Sequence, residues 1–312
     1  MTTSPRRPLE GVRVIAVEQY GAGPHGTLQL ADLGAEIIKV ENAADGGDVG
    51  RHVRHANETL PPGDSLFFEA FNRNKRSIAL NLKTEAGQTA LRRLAATADV
   101  VFNNLRGDLP GKLGLTYDDL KAVNPRIVCV HLSAYGRTGE RAAWPGYDYL
   151  MQAECGYLSV TGEKGGPPAR MGLSIVDLAT GLQAAIAMTS GVLGARASGV
   201  GGDYDVSLYD VAMTNLCYVA AWRLSLGETV GREARSAHPS LVPSQLYRTA
   251  DGWIFLMCNK EKFWPILCAK IDRPEWADDV RFKTFQGRLA HRDLLTDFLD
   301  DALAAKSTES WM

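Results

Sequence analysis

The sequence predicts an α/β protein: a Rossmann-like parallel sheet with helices on both faces, followed by a smaller α+β domain. Three observations predict it. Up to residue 132, short β-rich runs alternate with helical periods, the pattern of strands joined by helical crossovers. At 312 residues a single hydrophobic core is near its practical limit, so a second compact part is expected. Past residue 226 the chain turns polar and irregular before a hairpin signal, which sets the expected domains at 1–226 and 227–312. Taken in order, residues 12–18 read as a buried strand, 21–26 as a glycine turn and 27–33 as a helix closed by Gly34. A strand over 36–41 follows, then a polar stretch, 42–64. Residues 77–82 read as a strand, 84–98 as a helix and 100–104 as a strand. Thr116 with Asp119 three residues on is a capping-box pattern that opens a helix over 116–123, and 126–132 is again a strand. A long helical period covers 174–196, a strand 204–208 and a helix 211–226. Residues 227–243 read as a linker, Asp251-Gly252 as the turn of a hairpin over 246–258, and 260–271 and 287–305 as helices.

Charge and cysteine usage exclude several classes. Lys and Arg total 34 against 36 Asp and Glu, a net charge of −2, so a dedicated nucleic-acid binder with its basic excess is excluded. The five cysteines, Cys129, Cys155, Cys217, Cys258 and Cys268, are odd in number and scattered. That excludes a disulfide framework and a cysteine-rich zinc site and fits a reducing compartment. The amino terminus lacks the apolar core of a signal peptide, and no run approaches the roughly 18 apolar residues of a membrane span. A cytoplasmic protein without membrane partners is expected.

Gly21, Gly23 and Gly26 match the spacing of a dinucleotide-binding turn, and Glu41 lies twenty residues after the first glycine, where an acid would meet a ribose hydroxyl. The pattern reads equally as a tight turn needing glycines for geometry, and Pro24 removes one amide that would face a pyrophosphate. Asp177 carries two readings as well. Ser174-Ile-Val-Asp177 fits a capping box, in which the carboxylate accepts the Ser174 amide. A first-turn carboxylate kept ionised by the helix dipole also suits a nucleophile. Arg73, Lys75 and Arg76 before one strand with Lys83 after it, and Arg106 with Lys112 after the next, are candidate phosphate contacts or else solvated loops.

Four segments, in this order, resemble the class III CoA-transferase family, which holds formyl-CoA and carnitine CoA-transferases and the α-methylacyl-CoA racemases. They are Pro8-Leu-Glu-Gly-Val-Arg-Val-Ile with Gly21-Ala-Gly-Pro and residues 31–41; Phe71-Asn-Arg-Asn-Lys-Arg through Lys83; Ala98-Asp-Val-Val-Phe-Asn-Asn-Leu-Arg106 with Lys112-Leu-Gly-Leu; and Gly166-Pro-Pro-Ala-Arg-Met-Gly-Leu-Ser-Ile-Val-Asp177. The resemblance implies that Asp177 is the nucleophile and that the glycine turn, with Gly21 and Ala22, lines a CoA site. It also makes Leu80 to Lys83, Asn104, Leu105, Lys112 and the stretch Ser133, Ala134, Tyr135, Gly136 CoA-contacting positions. Arg73, Lys75 and Arg106 would add positive charge for the phosphates.

The implied chemistry is covalent: CoA passes between an acyl-CoA and a carboxylic acid through an aspartyl-CoA thioester on Asp177, with no prosthetic group and no metal. CoA is itself part of the substrate. Gly21, Gly23 and Gly172 would let backbone amides approach the oxyanion. Members of the family form interlocked homodimers of ring-like subunits and continue beyond the tryptophan at 311, so a missing return segment is expected. A racemase needs a second acid/base group opposite the aspartate, and Tyr147 stands where that histidine would be; His131 and His238 are substitutes. A nicotinamide-dependent dehydrogenase and a non-catalytic CoA-binding remnant are the rival readings.

Overall fold

The computed structural model of the chain describes residues 6–312. It divides into two compact units: residues up to Cys155 together with Met171–Cys217, and Gly156–Arg170 together with Tyr218–Met312. The expected boundary at 226 lies later than this division, and the glycine-rich segment 156–170 groups with the second unit. There Glu163 accepts the Arg235 amide through both carboxylate oxygens, at 2.9 Å each.

The first unit runs β1 (Arg13–Val17), α1 (Ala22–Asp32), β2 (Glu36–Glu41), α2 (Leu66–Asn72), β3 (Lys75–Ala79), α3 (Glu85–Ala95), β4 (Val100–Asn103), α4 (Tyr117–Leu120), β5 (Val128–Ser133) and α5 (Asp148–Glu154). After α6 (Tyr157–Val160), which belongs to the second unit, it resumes with α7 (Ile175–Ser198), β6 (Gly202–Ser207) and α8 (Leu208–Asn215). The six strands are parallel in the order β3-β2-β1-β4-β5-β6. Strand order therefore reverses between β1 and β4, the place where an open α/β sheet leaves a crevice beyond its carboxyl ends.

Helices cover both faces. Ile15, Val101 and Cys129 pack with Leu91 and Ala95 of α3 and Leu120 of α4. Their sequence neighbours point the other way, as strand alternation requires, and there a β-carbon on Gly191 of α7 would stand 2.6 Å from Val128 Cγ1. By length and composition α7, with its 24 residues, could span a membrane, contrary to the expectation that no run is long and apolar enough. Val176, Thr180, Ala184, Met188 and Val192 are instead buried in the unit.

Two departures from the expected elements shape the site. The glycine turn is not a turn: α1 begins at Ala22, with Gly21 as its N-cap, so Gly23, Pro24 and Gly26 are helical. Proline is tolerated there because first-turn amides have no intrahelical partner. Residues 211–226 form not one helix but parts of two, α8 and α9 (Cys217–Leu226), broken where Cys217 takes a φ of 50°.

In the second unit β7 (Ser244–Arg248) and β8 (Trp253–Met257) form the expected hairpin, Arg248 opposite Trp253. The helices α10 (Phe263–Lys270), α11 (Phe285–Ala290), α12 (Arg292–Leu303) and α13 (Thr308–Trp311) complete it. Tyr247, Trp264, Phe282, Leu295 and Leu299 form its core. The fully buried Arg288 crosses that core, donating to the carbonyls of Val242 and Phe282 and to Glu261.

Candidate active site

Two adjoining cavities open at the reversal in strand order. The first, about 320 Å³, is lined by Gln19 to Ala22 after β1, Asn104 to Arg106 and Leu109 after β4, Leu132 to Ala134 at the end of β5, residues 144–147, Asp177 and Leu208. The second, about 370 Å³, lies over β1, β2 and β3 and includes Glu41, Asp48, Leu80 to Lys83 and Leu113. Gln19, Leu105 and Leu109 belong to both. Asn104 holds this junction: its side chain accepts the Gln19 amide at 2.9 Å and donates to the Gln19 carbonyl at 2.7 Å.

Asp177 stands in the first turn of α7 and is 8% exposed. It does not cap its helix. Ser174 makes no side-chain capping bond, and the first-turn amides of Val176 and Asp177 go to Asp148 Oδ2, at 2.6 and 2.9 Å. Asp148 reaches them from the start of α5 and is fixed by Gln152, which donates to its Oδ1 at 2.6 Å. Gln152 in turn accepts the Met171 amide, so the approach to α7 is tied to α5. The expectation of a dipole-stabilised, ionised Asp177 is therefore corrected: Asp148 takes the helix amides. Burial and then the nearby Asp148 charge push the Asp177 carboxyl up to about 7.

The glycines of the supposed dinucleotide turn make room for this arrangement. A β-carbon at Gly21 would stand 3.2 Å from Asp177 Oδ2, and one at Gly23 would fall 2.7 Å from Asn104 Cγ. A β-carbon at Gly26 would lie 2.5 Å from the Gly181 carbonyl oxygen, so the third glycine allows α1 to cross α7 closely. Gly172 meets no such constraint. The other half of the fingerprint fails too. Glu41 accepts Arg51 at 2.8 Å through each oxygen, the Ser77 hydroxyl at 2.6 Å and the Asp48 amide at 2.9 Å. Those bonds outweigh burial and hold its carboxyl down at about 2. It has no lone pair left over for a ribose, which overturns the dehydrogenase reading.

The sequence-derived positions separate into four groups. Gly21, Ala22, Asn104, Leu105, Arg106, Ser133 and Ala134 come together with Asp177 around the first cavity, while Leu80 and Lys83 line the second. Tyr135, Gly136 and Lys112 line neither; Tyr135 donates to Glu154 and Lys112 pairs with Asp108, both at 2.7 Å. Arg73 and Lys75 lie at the amino end of β3, away from the carboxyl-end cavities. Arg73 pairs with Asp32, and the Lys75 ammonium is buried against Glu18 at 2.8 Å and the Pro24 carbonyl. Together with Lys39 and Asp48, paired at 2.7 Å, this forms a charge-balanced buried cluster; Glu18 stays ionised because Lys75 and Lys39 outweigh its burial. Lys75 is thereby a structural cation rather than a phosphate contact.

No histidine lines the first cavity among the described residues. His131 is buried within the sheet between Asn103 and Asp203, at 2.8 Å from each. His238 belongs to the second unit and accepts the amides of Ser240 and Leu241. Tyr147 does line the cavity, 62% exposed. Tyr20, beside Gly21, holds a left-handed φ of 68°, fixed by its amide bond to Asp48 Oδ1 at 2.8 Å. Burial and the Asp177 carboxylate raise its phenol, which keeps it a hydrogen-bond donor.

A parallel sheet, a cavity at its switch point and a buried carboxyl facing that cavity, with no histidine among its described lining residues, are the features of a small-molecule enzyme site. Residues 9–312 match CoA-transferase family III, and the chain belongs to that family, enzymes that move CoA between acyl-CoAs and carboxylic acids. It is 36% identical to the succinate–glutarate CoA-transferase of Agrobacterium fabrum over 304 residues, 94% of this chain and 74% of that protein. It is 34% identical to the human succinyl-CoA:glutarate CoA-transferase, over 98% of this chain and 69% of the relative. The crystal structure of Rv3272 from Mycobacterium tuberculosis superposes with a TM-score of 0.87 at 34% identity, covering 99% of this chain and 81% of that one.

Proposed function

We propose that this enzyme transfers CoA through an aspartyl-CoA thioester on Asp177, between dicarboxylic acids of the class named in its succinate and glutarate relatives. The observation that carries the reading is the placement of Asp177: buried in the lining of the switch-point cavity, facing Gly21, with its helix amides already taken by Asp148. A carboxylate relieved of capping keeps its lone pairs for attack. Asp177 attacks the thioester carbonyl, expelling CoA thiolate and leaving an aspartyl–acyl anhydride. The thiolate then attacks the aspartyl carbonyl, releasing the donor acid and forming aspartyl-CoA. An acceptor carboxylate attacks that thioester, and the returning thiolate takes the acyl group from the new anhydride, restoring Asp177. The first amides of α1, at Ala22 and Gly23, have no intrahelical partner and supply donors for the oxyanions.

In the same reading the nucleotide end of CoA lies in the second cavity, with Leu80 against its apolar surface and Lys83 near its phosphates. The pantetheine arm crosses the junction at Gln19 and Leu105. No histidine lines the Asp177 cavity among the described residues, which favours transfer over racemisation, since a racemase needs a second acid/base group facing the substrate there. The proposal extends to an interlocked homodimer, as the family resemblance implies.

Trapping tests it directly. Protein incubated with succinyl-CoA gains a CoA-sized mass on the peptide holding Asp177, and hydroxylamine removes it. Asp177→Asn gains none while still binding CoA. A fully active Asp177→Asn enzyme would sink the mechanism.

A further inference from the structure

Resting on the transferase reading, we infer that Arg106 recognises the second, unreacted carboxylate of the dicarboxylic acyl group and so sets the enzyme's acid specificity. Arg106 is the one cation among the described residues that line the Asp177 cavity. A dicarboxylic substrate presents one carboxyl to Asp177 and must bring the other into the same space. A carboxylate drawn from water into a cavity needs a partner, and a guanidinium meets it with two parallel bonds.

The present engagement of Arg106 suits that task. Its guanidinium meets Asp108 only loosely, Nε at 3.3 Å and Nη2 at 3.4 Å, whereas Lys112 holds the same carboxylate at 2.7 Å. When Arg106 turns to a ligand, Asp108 keeps its ion pair with Lys112 through Oδ2. Lys112, lining neither cavity, thus serves to satisfy Asp108 rather than to reach substrate. The guanidinium is about half exposed, so it can move without disturbing the core. A phosphate of CoA could supply the same anionic chemistry, and the experiment separates the two sources.

The test compares kcat/KM for transfer from succinyl-CoA and glutaryl-CoA with that from butyryl-CoA and pentanoyl-CoA, their monocarboxylic counterparts, to one acceptor. Arg106→Gln should lower the dicarboxylic-to-monocarboxylic ratio roughly ten- to hundred-fold, the worth of one charge-assisted contact. Arg106→Lys, which keeps the charge and loses the fork, should restore part of the ratio. An equal loss for both acyl classes, matched by weaker binding of CoA itself, would assign Arg106 to the phosphates and overturn the inference. An unchanged ratio would overturn it as well. Absence of an Asp177 adduct with every thioester would instead remove the transferase reading, and this inference with it.

Discussion

Asp177 and Asp148 place two carboxyl groups around one helix start, and their unequal surroundings divide the work. Asp148 accepts two helix amides and the Gln152 amide, so its charge is well solvated by the protein. Asp177 receives none of these, and burial with the neighbouring charge raises it to about 7 from an ordinary 3.8. The sign of the consequence is opposite to that of a capping residue. The folded chain retains the Asp177 proton up to about pH 7, while the unfolded chain releases it near the ordinary value, so ionisation destabilises the fold above that range. Asp177→Asn should therefore stabilise the protein by about 2–4 kcal/mol at pH 8, with the gain shrinking as pH falls from 7 toward 4. Urea denaturation of both proteins at the two ends of that range checks it; a loss of stability at pH 8 would restore the capping role. Aspartyl-CoA formation needs the ionised form and should rise with pH to a plateau above about 7. Asp148→Asn keeps an acceptor oxygen for the α7 amides but removes the repelling charge. It should move the midpoint of that rise to lower pH, and an unmoved midpoint would leave burial alone responsible.

The helices α1 and α7 bring the two halves of the site together, and their contact is made of glycine. A β-carbon at Gly181 would stand 2.5 Å from the Ala22 carbonyl oxygen and 3.0 Å from the Gly26 amide. Backbone cannot yield as a side chain can, so Gly181→Ala should spread the helices, destabilise by about 1–3 kcal/mol and slow adduct formation on Asp177. Gly194, exposed on the same helix with nothing within 4 Å of its absent β-carbon, provides the contrast. Gly194→Ala should stabilise by about 0.5–1 kcal/mol through helix propensity alone, with the rate unchanged. Equal effects of the two substitutions on thermal stability and rate would deny the crossing its role. This is also where sequence reading met its limit. Alternation and strand-like composition made the sheet legible, and family-like segments pointed to Asp177. The glycines were legible as a spacing but not as a helix, because their reason lies in Gly181 and Asn104, far along the chain. Asp148 carried no local signal, since the amides it caps follow 28 and 29 residues later. Lys75 was misplaced because a run of basic residues does not say which end of its strand faces the crevice.

Across the whole first unit, the reversal of strand order between β1 and β4 produces two cavities of different character that meet at Gln19 and Leu105. One holds Asp177 and, among its described lining residues, the single cation Arg106; the other sets apolar side chains beside Glu41, Asp45 and Asp48, with Lys83 among its lining residues. CoA is a bipartite ligand, a charged nucleotide joined by a flexible arm to a reactive thiol, and the proposed binding mode gives each end its own cavity. Binding energy gained far from the reacting atoms can then hold the thioester in position for attack. The two ends should consequently be separable by substrate truncation. Succinyl-pantetheine, which lacks the nucleotide, should react with Asp177 at a much lower kcat/KM than succinyl-CoA. Lys83→Ala should lower the succinyl-CoA value by roughly ten- to hundred-fold, the loss of one charge-assisted phosphate contact, and so narrow the gap between the two substrates. Single-turnover kinetics of thiol release with both thioesters and both proteins measures that ratio of ratios. If Lys83→Ala slows the truncated substrate as much as the complete one, the second cavity does not hold the nucleotide, and the phosphates must be sought elsewhere on the molecule.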